Sequence, residues 1–323
     1  MKMKSILASS AMLLMAFVNG SSALAQADWP SKPIRILLPF PPGGPSDMVA
    51  RAIADKLQVS LKQPIVIDNK PGAGGNIGSA EVARAAGDGH TWLFGTDSLF
   101  TVNPHVYKSL GYKLDDLKPV MLATQFSQTL VCHPAVGVKT VGELVAKAKS
   151  TPMNYASGGA GVPGHLSMEL LLAMAGIDMT HVPYKGPAPA MQDVIGGQVA
   201  CGLLAGPTVL PHIRSGRLVA LGVSGKERAP SLPEVPTIAE AGIPKYEANF
   251  GLVFWAPKST PDSVVNKFNQ ALADALKSPD VVERLLKTDQ NVIASSSAEA
   301  ATRLAADSIK WGEVAKRIKL GLD

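Results

Sequence analysis

The sequence predicts an α/β protein of two lobes, each a mostly parallel sheet flanked by helices. The chain has 323 residues, which is more than one hydrophobic core usually serves. Short apolar runs that end in glycine and proline turns alternate with helical patterns, and this alternation occurs twice along the chain. Strands that alternate with helices form parallel sheets, so each alternation predicts one lobe.

The first 25 residues have the pattern of a secretory signal peptide. Lys2 and Lys4 precede an apolar stretch at 6–18, and small residues follow at 23–25. A membrane anchor is the alternative, but this stretch is shorter than the roughly 20 apolar residues that span a bilayer. No cysteine follows it to carry a lipid. Cleavage removes two lysines and no acid, which lowers the formal charge from +5 to +3.

The first alternation covers residues 34–94. Its first helix has Val49, Ile53 and Leu57 at four-residue spacing, which marks one buried face. The βαβαβ order predicts parallel strands joined by right-handed crossovers. The predicted elements are strands at 34–40, 65–67 and 92–94 and helices at 47–57 and 77–86.

The second alternation begins at residue 130 and ends in a helical C-terminal part. Thr260 is the predicted N-cap of the first C-terminal helix, with Pro261 in its first turn. Apolar residues at every fourth position from 264 to 276 line one face of that helix. The other predicted elements are strands at 130–132, 154–156, 181–184, 201–204 and 218–223 and helices at 141–149 and 166–175.

Three glycine-rich loops, at 41–47, 72–76 and 157–164, each follow a strand and precede a helix. Glycine lets the backbone approach a ligand, and a helix N-terminus offers free N–H groups and a partial positive charge. Any one of these loops is explained as well by a tight turn. Three in matching positions predict a cleft that binds an anionic or polar ligand at the carboxyl ends of the strands.

A dinucleotide site is the competing interpretation of the third loop. Gly159, Gly161 and Gly164 match G-x-G-x-x-G after a strand. However, Pro163 interrupts the match, and Asp178 comes too early to bind a ribose hydroxyl. We therefore expect no nucleotide cofactor.

Enzymes and nucleic-acid-binding proteins are also disfavoured. The chain has no G-x-S-x-G elbow, and its six histidines lack metal-ligand spacing. His165 either faces a ligand or packs locally, and Asp47 with Arg51 forms a helix-surface pair. With 5% aromatic residues and no run of lysine and arginine, nucleic-acid binding is not expected. We expect no catalysis, no metal and no other cofactor.

Cys132 and Cys201 are the two cysteines of the chain. In an oxidising compartment they could pair, but two separate buried thiols fit the sequence equally well. The sequence leaves this question open.

Short motifs link the glycine loops to a known family. With them the chain resembles the extracytoplasmic receptors of tripartite tricarboxylate transporters, the Bug-type binding proteins, over nearly all of the chain after residue 25. The motifs are Trp29-Pro30, Pro41-Pro42-Gly43-Gly44 with Asp47 and Ala50-Arg51, Asn69-Lys70-Pro71-Gly72-Ala73-Gly74-Gly75-Asn76-Ile77-Gly78, Asp88-Gly89-His90-Thr91, His181-Val182-Pro183-Tyr184-Lys185-Gly186, Gly196-Gly197-Gln198-Val199 and Val235-Pro236-Thr237.

The resemblance implies a two-lobed periplasmic clamshell without catalytic activity. Residues 1–25 would be the signal peptide, 26–126 with 250–323 lobe 1, and 127–249 lobe 2. A monomer would capture a small carboxylate and deliver it to the membrane subunits of a transporter. The ligand contacts that it implies are Pro42, Gly43, Gly44, Ser46, Asp47, Thr96, Ser98, Ser157, Gly158, Gly159, Ala160, Gly161, Tyr184 and Lys185.

The chain departs from the family after the Gly-Gly-Gln-Val motif, where many members carry acids. Residues 200–206 contain none, and Phe250 stands where tryptophan is common. If 200–206 lines the cleft, Leu203 and Leu204 offer an apolar surface, whereas an amino-acid ligand needs its ammonium group paired. We therefore expect a carboxylate without an ammonium group, aromatic or extended in shape. The alternative is that this strand is simply buried core.

Two other functions remain compatible with parts of the sequence. A ligand-sensing protein that signals to a membrane partner would share the fold and the cleft. An exported enzyme would need an activated nucleophile or an acid–base pair, which the sequence lacks. Neighbouring genes for transporter membrane subunits would separate receptor from sensor.

We expect the mature protein to start at Gln26 or Asp28, because small residues precede both positions. Osmotic shock should release this form, and intact mass should identify its N-terminus. Intact Met1 on the released or membrane-bound protein would contradict the prediction.

Overall fold

Strands and helices alternate through residues 29–317, the part of the chain that the computed structural model describes. The strands are β1 Ile34–Leu38, β2 Ile65–Asn69, β3 Thr91–Thr96, β4 Leu117–Cys132, β5 Asn154–Ser157, β6 Thr180–Pro183, β7 Cys201–Ala205, β8 Val219–Val223, β9 Asn249–Pro257 and β10 Asn291–Val292. The helices are α1 Pro45–Leu61, α2 Asn76–Ala83, α3 Ser98–Thr101, α4 Asn103–Val106, α5 Val141–Ser150, α6 Pro163–Ala175, α7 Pro187–Ile195, α8 Gly206–Arg214, α9 Asp262–Leu276, α10 Pro279–Leu286 and α11 Ser297–Arg317.

The strands form one mixed sheet in the order β2-β1-β3-β9-β4-β7-β5-β6, and β8 and β10 also pair with β4. β1 runs parallel to both β2 and β3, as the first alternation predicts. β5 likewise runs parallel to β6 and β7. The predicted α/β fold class is confirmed, and β4 and β9 add antiparallel pairing between the two parallel regions.

β4 is the strand that joins the two regions. It is 16 residues long and pairs with β9 as far as Ser127 and with β7 from Gln128 onward. The sequence predicts only its last three residues as a strand, because Pro119 and several polar residues interrupt the apolar pattern before them. The pairing with β9 accommodates this segment through two register shifts. The predicted lobe boundaries fall on β4 and β9, and they stay a prediction.

One predicted helix start is wrong. α9 begins at Asp262, and Pro261 is its N-cap, whereas Thr260 had been expected in that position. Pro261 has a ψ of 142°, which is outside the helical range, while its carbonyl accepts hydrogen bonds from the N–H groups of Val264 and Val265. Proline therefore occupies the position before the helix instead of its first turn.

The apolar face of α9 anchors this helix on the sheet. Phe268 stacks on Trp92 of β3 with ring centroids 4.0 Å apart, and both side chains are fully buried. Such pairs add to the free energy of burial. The predicted four-residue spacing thus marks the buried face, although Val264 at its start is only half-buried.

Cys132 and Cys201 form a disulfide, which answers the question that the sequence left open. They lie directly opposite each other in the antiparallel pair of β4 and β7. The bond joins the N-terminal end of β7 to the C-terminal end of β4. The other end of β7 therefore approaches the point where β4 changes partners.

None of the helices within residues 29–317 combines the length and the apolar content that crossing a bilayer requires. The predicted signal peptide lies outside the described residues.

We expect replacement of both cysteines by serine to lower the free energy of unfolding by about 2–4 kcal/mol, because the disulfide closes a long loop in the unfolded chain. Urea unfolding of the oxidised wild type and the double variant measures the difference. Dithiothreitol should destabilise the wild type and leave the variant unchanged. Equal stability of the two oxidised proteins would contradict the prediction.

Candidate ligand-binding site

A small cavity of about 40 Å³ lies between the two parallel regions of the sheet. Its lining is apolar side chains, glycines, prolines and three uncharged polar side chains. Among the residues that the structure describes, no charged side chain lines it. The lining residues are Phe40, Gly44, Pro45, Ser46, Thr96, Phe126, Gln128, Gly158, Val162, Pro163, Gly164, Pro187, Leu203, Leu204 and Ala205.

Four helices begin at this cavity, namely α1, α6, α7 and α8. Each has a proline in its first turn, and within residues 29–317 no side chain caps its free N–H groups. On α5, by contrast, Thr140 Oγ1 accepts a hydrogen bond from Glu143 N. Uncapped helix N-termini carry partial positive charge and N–H donors, which favour a bound anion. The cavity can therefore hold a carboxylate without any cationic side chain.

The first glycine loop is held in place by Asp47. Its Oδ2 accepts hydrogen bonds from Gly43 N and Arg51 Nε, each at 3.0 Å. Burial by itself would raise the pKa of Asp47, but these hydrogen bonds and the charge of Arg51 lower it below its ordinary value. Asp47 is thus a charged carboxylate behind the loop, and it does not line the cavity.

The third glycine loop rests on two stacked histidines. His165 and His181 lie with ring centroids 3.9 Å apart. Gly161 N donates to His165 Nδ1 at 3.0 Å, and Ser157 Oγ lies 2.6 Å from His181 Nε2. Of the two interpretations of His165, local packing is the one that the structure supports.

Both histidines are uncharged near neutral pH. Burial, aided by the neighbouring ring, lowers the pKa of His165 to about 3, and burial lowers that of His181 to about 4. Because His165 Nδ1 accepts a hydrogen bond from Gly161, the neutral ring carries its proton on Nε2. The loop is therefore positioned by neutral side chains, and the partial positive charge on this side of the cavity comes from the backbone.

The second glycine loop does not line the cavity. Asn103 Nδ2 donates to Gly74 O and to Asn76 Oδ1, at 3.2 and 2.8 Å, which ties this loop to α4. A Cβ on Gly74 would lie 3.1 Å from Ala160 O. This loop thus lies beside the third glycine loop, and two of the three predicted loops line the cavity.

The two sides of the cavity also touch each other directly. Tyr107 OH, after α4, donates to Ala160 O in the third glycine loop at 2.9 Å. A Cβ on Gly186, at the start of α7, would lie 2.6 Å from Pro41 Cδ in the first glycine loop. We call this arrangement, with the two sides in direct contact, the closed form.

The predicted ligand contacts divide into two groups. Gly44, Ser46, Thr96 and Gly158 line the cavity. Ser98 lies next to them, with its Oγ 2.6 Å from Thr96 Oγ1. The others lie behind the lining or on the surface, and their ligand contacts stay a prediction: Pro42, Gly43, Asp47, Ser157, Gly159, Ala160, Gly161, Tyr184 and Lys185.

Sequence reasoning missed the contribution of the crossover strand. Phe126 and Gln128 of β4 line the cavity, and their spacing of two places them on one face of that strand. The sequence did point to this part of the chain, because the predicted boundary between the two lobes lies between Phe126 and Gln128. Leu203 and Leu204 line the cavity and are also buried, so the segment without acids does face the site.

Comparison with known proteins links this geometry to one family. Residues 49–320 match the family model described as "Tripartite tricarboxylate transporter family receptor". Protein BugT of Bordetella pertussis is 35% identical over 302 residues, which are 92% of this chain and 93% of BugT.

Two solved structures extend the comparison. R. palustris Rpa4515 with adipate has a TM-score of 0.88 and 33% identity, covering 91% of this chain and 99% of that one. MatC from Rhodopseudomonas palustris with bound malate has a TM-score of 0.85 and 32% identity, covering 88% of this chain and 99% of that one.

Tyr107→Phe should destabilise the closed form by the net value of one hydrogen bond, about 0.5–1.5 kcal/mol. The fraction of molecules in the open form should rise by a factor of about 2 to 10. Fluorescence energy transfer between labels on the two sides of the cavity measures this fraction. Tyr112→Phe is the matched control, because its hydroxyl donates to Leu99 O, a residue on its own side of the cavity. An unchanged open fraction in Tyr107→Phe would show that this hydrogen bond does not hold the cavity shut.

Proposed function

The chain belongs to the tripartite tricarboxylate transporter receptor family, and we propose from this membership that it is a periplasmic solute-binding receptor. It captures a small carboxylate in the cavity where α1, α6, α7 and α8 begin. It then delivers this ligand to the membrane subunits of a tripartite tricarboxylate-type transporter. It acts as a monomer and carries out no reaction on the ligand.

The convergence of four uncapped helix N-termini on an uncharged cavity is the observation that carries this proposal. A carboxylate in this position accepts hydrogen bonds from first-turn N–H groups, beginning with those of α1 and α6. Gly44, Ser46, Thr96 and Gly158 are the contacts that we propose among the residues implied by the family. The adipate and malate of the two similar structures are both carboxylates, which supports the same class of ligand here.

Ser157 and His181 are the pair that comes nearest to a catalytic arrangement, with 2.6 Å between Oγ and Nε2. A nucleophile has to reach a substrate, but Ser157 is fully buried and does not line the cavity. Its Oγ also donates to Gly159 O at 2.8 Å, which gives this hydroxyl a structural role within the loop. These contacts favour binding over catalysis.

The ligand that we propose has no ammonium group. An ammonium buried in a closed cavity needs a negative partner. Aspartate and glutamate are absent from the lining as far as the described residues show. Leu203 and Leu204 instead present an apolar surface, which suits a ring or an alkyl chain.

Ligand exchange requires the closed cavity to open. We propose that residues 26–126 with 250–323 and residues 127–249 move as two lobes about β4 and β9, the strands that they share. Hinge closure around a ligand is an established motion of periplasmic binding proteins.

A thermal-shift panel tests the ligand class. A carboxylate at about 100 times its dissociation constant stabilises the protein by about 2.7 kcal/mol, which raises the melting temperature by about 5 °C. We expect dicarboxylates, tricarboxylates or aromatic acids to produce this shift and aspartate and glutamate not to. The reverse pattern would contradict the proposal of a ligand without ammonium.

Two variants link the shift to the cavity. A Cβ on Gly158 would lie 2.8 Å from Pro187 N, so Gly158→Ala should displace the start of α7. This variant should therefore show a smaller rise in melting temperature when the carboxylate is added. Gly142→Ala on α5 is the matched control, because its nearest neighbour would be 3.9 Å away. Uptake of the labelled ligand by cells with and without the gene then separates a transport receptor from a sensor.

A further inference from the structure

A second cavity, of about 400 Å³, lies behind β4, and we call it the rear cavity. Gln125 and Ser127 line it, Gln128 lines the cavity of the proposed carboxylate, and Phe126 contributes to both. Since successive side chains of a strand point to opposite faces, the two cavities lie on opposite faces of β4. The volume of the rear cavity is in the range of sites that bind small molecules.

The loop that follows β8 covers this face of β4. At its start, Ser224 N donates to Gln128 O at 2.8 Å, and at its end Ser231 N donates to Asp289 Oδ1 at 3.3 Å. Residues 225–230, between these two hydrogen bonds, line the rear cavity. The cavity is therefore the space between this loop and the part of β4 that changes partners.

Acidic side chains line the rear cavity on both sides of β4. Glu247 lies two residues before the start of β9, and Asp289 lies two residues before the start of β10. Gln125 pairs with Gly251 of β9 and with Asn291 of β10, so these two strands lie on opposite edges of β4. Neighbouring strands are about 4.8 Å apart, which separates β9 from β10 by about 10 Å.

Asp289 is the buried member of these acids. It is 3% exposed, and its Oδ2 has no hydrogen-bond partner among the described residues. α8 begins beside this oxygen, since a Cβ on Gly206 would lie 2.8 Å from it, but the partial charge of a helix N-terminus offsets only part of a carboxylate charge. Burial raises the pKa of Asp289, although hydrogen bonds from Ser231 and the charge of Arg214 act in the opposite direction. Oδ2 therefore keeps the capacity to accept from a cation.

The lining of the rear cavity has more carboxylates than free cations. Besides the buried acid it contains Glu227 and Glu247, and neither forms an ion pair within residues 29–317. Arg228 is already held by Glu240, with 2.9 Å between Nε and Oε2. Lys226, the other cation of the lining, is exposed. Three carboxylates thus face one cation that is free to pair with them.

The spacing of these carboxylates suits an organic cation better than a metal ion. Among the described residues, no three histidine, cysteine, aspartate or glutamate side chains lie close enough together to hold a metal. Acids on opposite edges of β4 instead match a molecule with two separated positive charges. Phe126 and Ala229 are buried and line the cavity, so they offer an apolar surface to an alkyl chain between those charges.

We infer that the rear cavity binds a small aliphatic diamine. One ammonium group lies beside Asp289 and the other beside Glu247, and the carbon chain crosses β4 between them. Each ammonium group carries three N–H donors, which the carboxylates and the side-chain oxygens of Gln125 and Ser127 can accept. This site is separate from the carboxylate cavity and goes beyond the proposed function.

Calorimetric titration with cadaverine and pentylamine tests the inference. The two amines have the same carbon chain, and pentylamine lacks the second ammonium group. At low ionic strength, where ion pairs are least screened, wild-type protein should bind cadaverine about tenfold more tightly than pentylamine, because the monoamine leaves one carboxylate without its cation.

Asp289→Asn and Glu247→Gln keep the shapes of the side chains and remove one charge each. In each variant the preference for cadaverine should fall to about one, since a single charged partner remains for the second ammonium group to lose. Glu283→Gln is the matched control: it also removes one negative charge, but Glu283 is exposed on α10 and pairs with Lys287 outside the rear cavity. The wild-type preference should persist there. Glu247→Gln carries the test by itself if Asp289→Asn does not fold.

Four results would overturn the inference. They are no binding of cadaverine to wild-type protein, equal affinity for cadaverine and pentylamine, a preference that survives in Glu247→Gln, and an equal loss of preference in Glu283→Gln. The last would show that the net charge of the protein attracts the diamine. Each of these results leaves the proposed carboxylate receptor standing, because the carboxylate cavity lies on the other face of β4.

Discussion

The long strand β4 is the element on which the arrangement of the cavity depends. Its hydrogen bonds to β9 hold it in one parallel region of the sheet, and its hydrogen bonds to β7 hold it in the other. The change of partner between Ser127 and Gln128 places the two sets of βα loops face to face. Because helices start at the carboxyl ends of parallel strands, α1 from one region and α6 and α7 from the other meet at a single cavity. The disulfide between Cys132 and Cys201 fixes the register of β4 and β7 beyond this point.

The charge at the site comes from the backbone, because the described residues that line the cavity include no ionised side chain. Asp47 is paired with Arg51 behind the first glycine loop. His165 and His181 support the third loop as neutral rings. What remains at the cavity is the partial positive charge of helix N-termini, which attracts an anion without a lysine or arginine beside it.

The contacts between the two sides of the cavity involve the loops that line it. Pro41 meets Gly186, and Tyr107 meets Ala160, so the first and third glycine loops both take part in these contacts and line the cavity. Gln128 lies where β4 crosses between the regions, opposite Ala205, the residue that precedes α8. In the function that we propose, ligand binding and closure therefore involve neighbouring segments of the chain.

The sequence by itself determined the α/β class, the parallel strands and the glycine loops, because these depend on local periodicity and on turn residues. It also carried the family motifs. The tertiary structure decided the length of β4, whose pattern is masked by Pro119 and by polar residues that only pairing with β9 accommodates. It decided the pairing of Cys132 with Cys201, which depends on the register of two strands 69 residues apart. It also decided that Phe126, Gln128, Leu203 and Leu204 share one cavity, since proximity between distant segments is a property of packing and leaves no periodic signal in the chain.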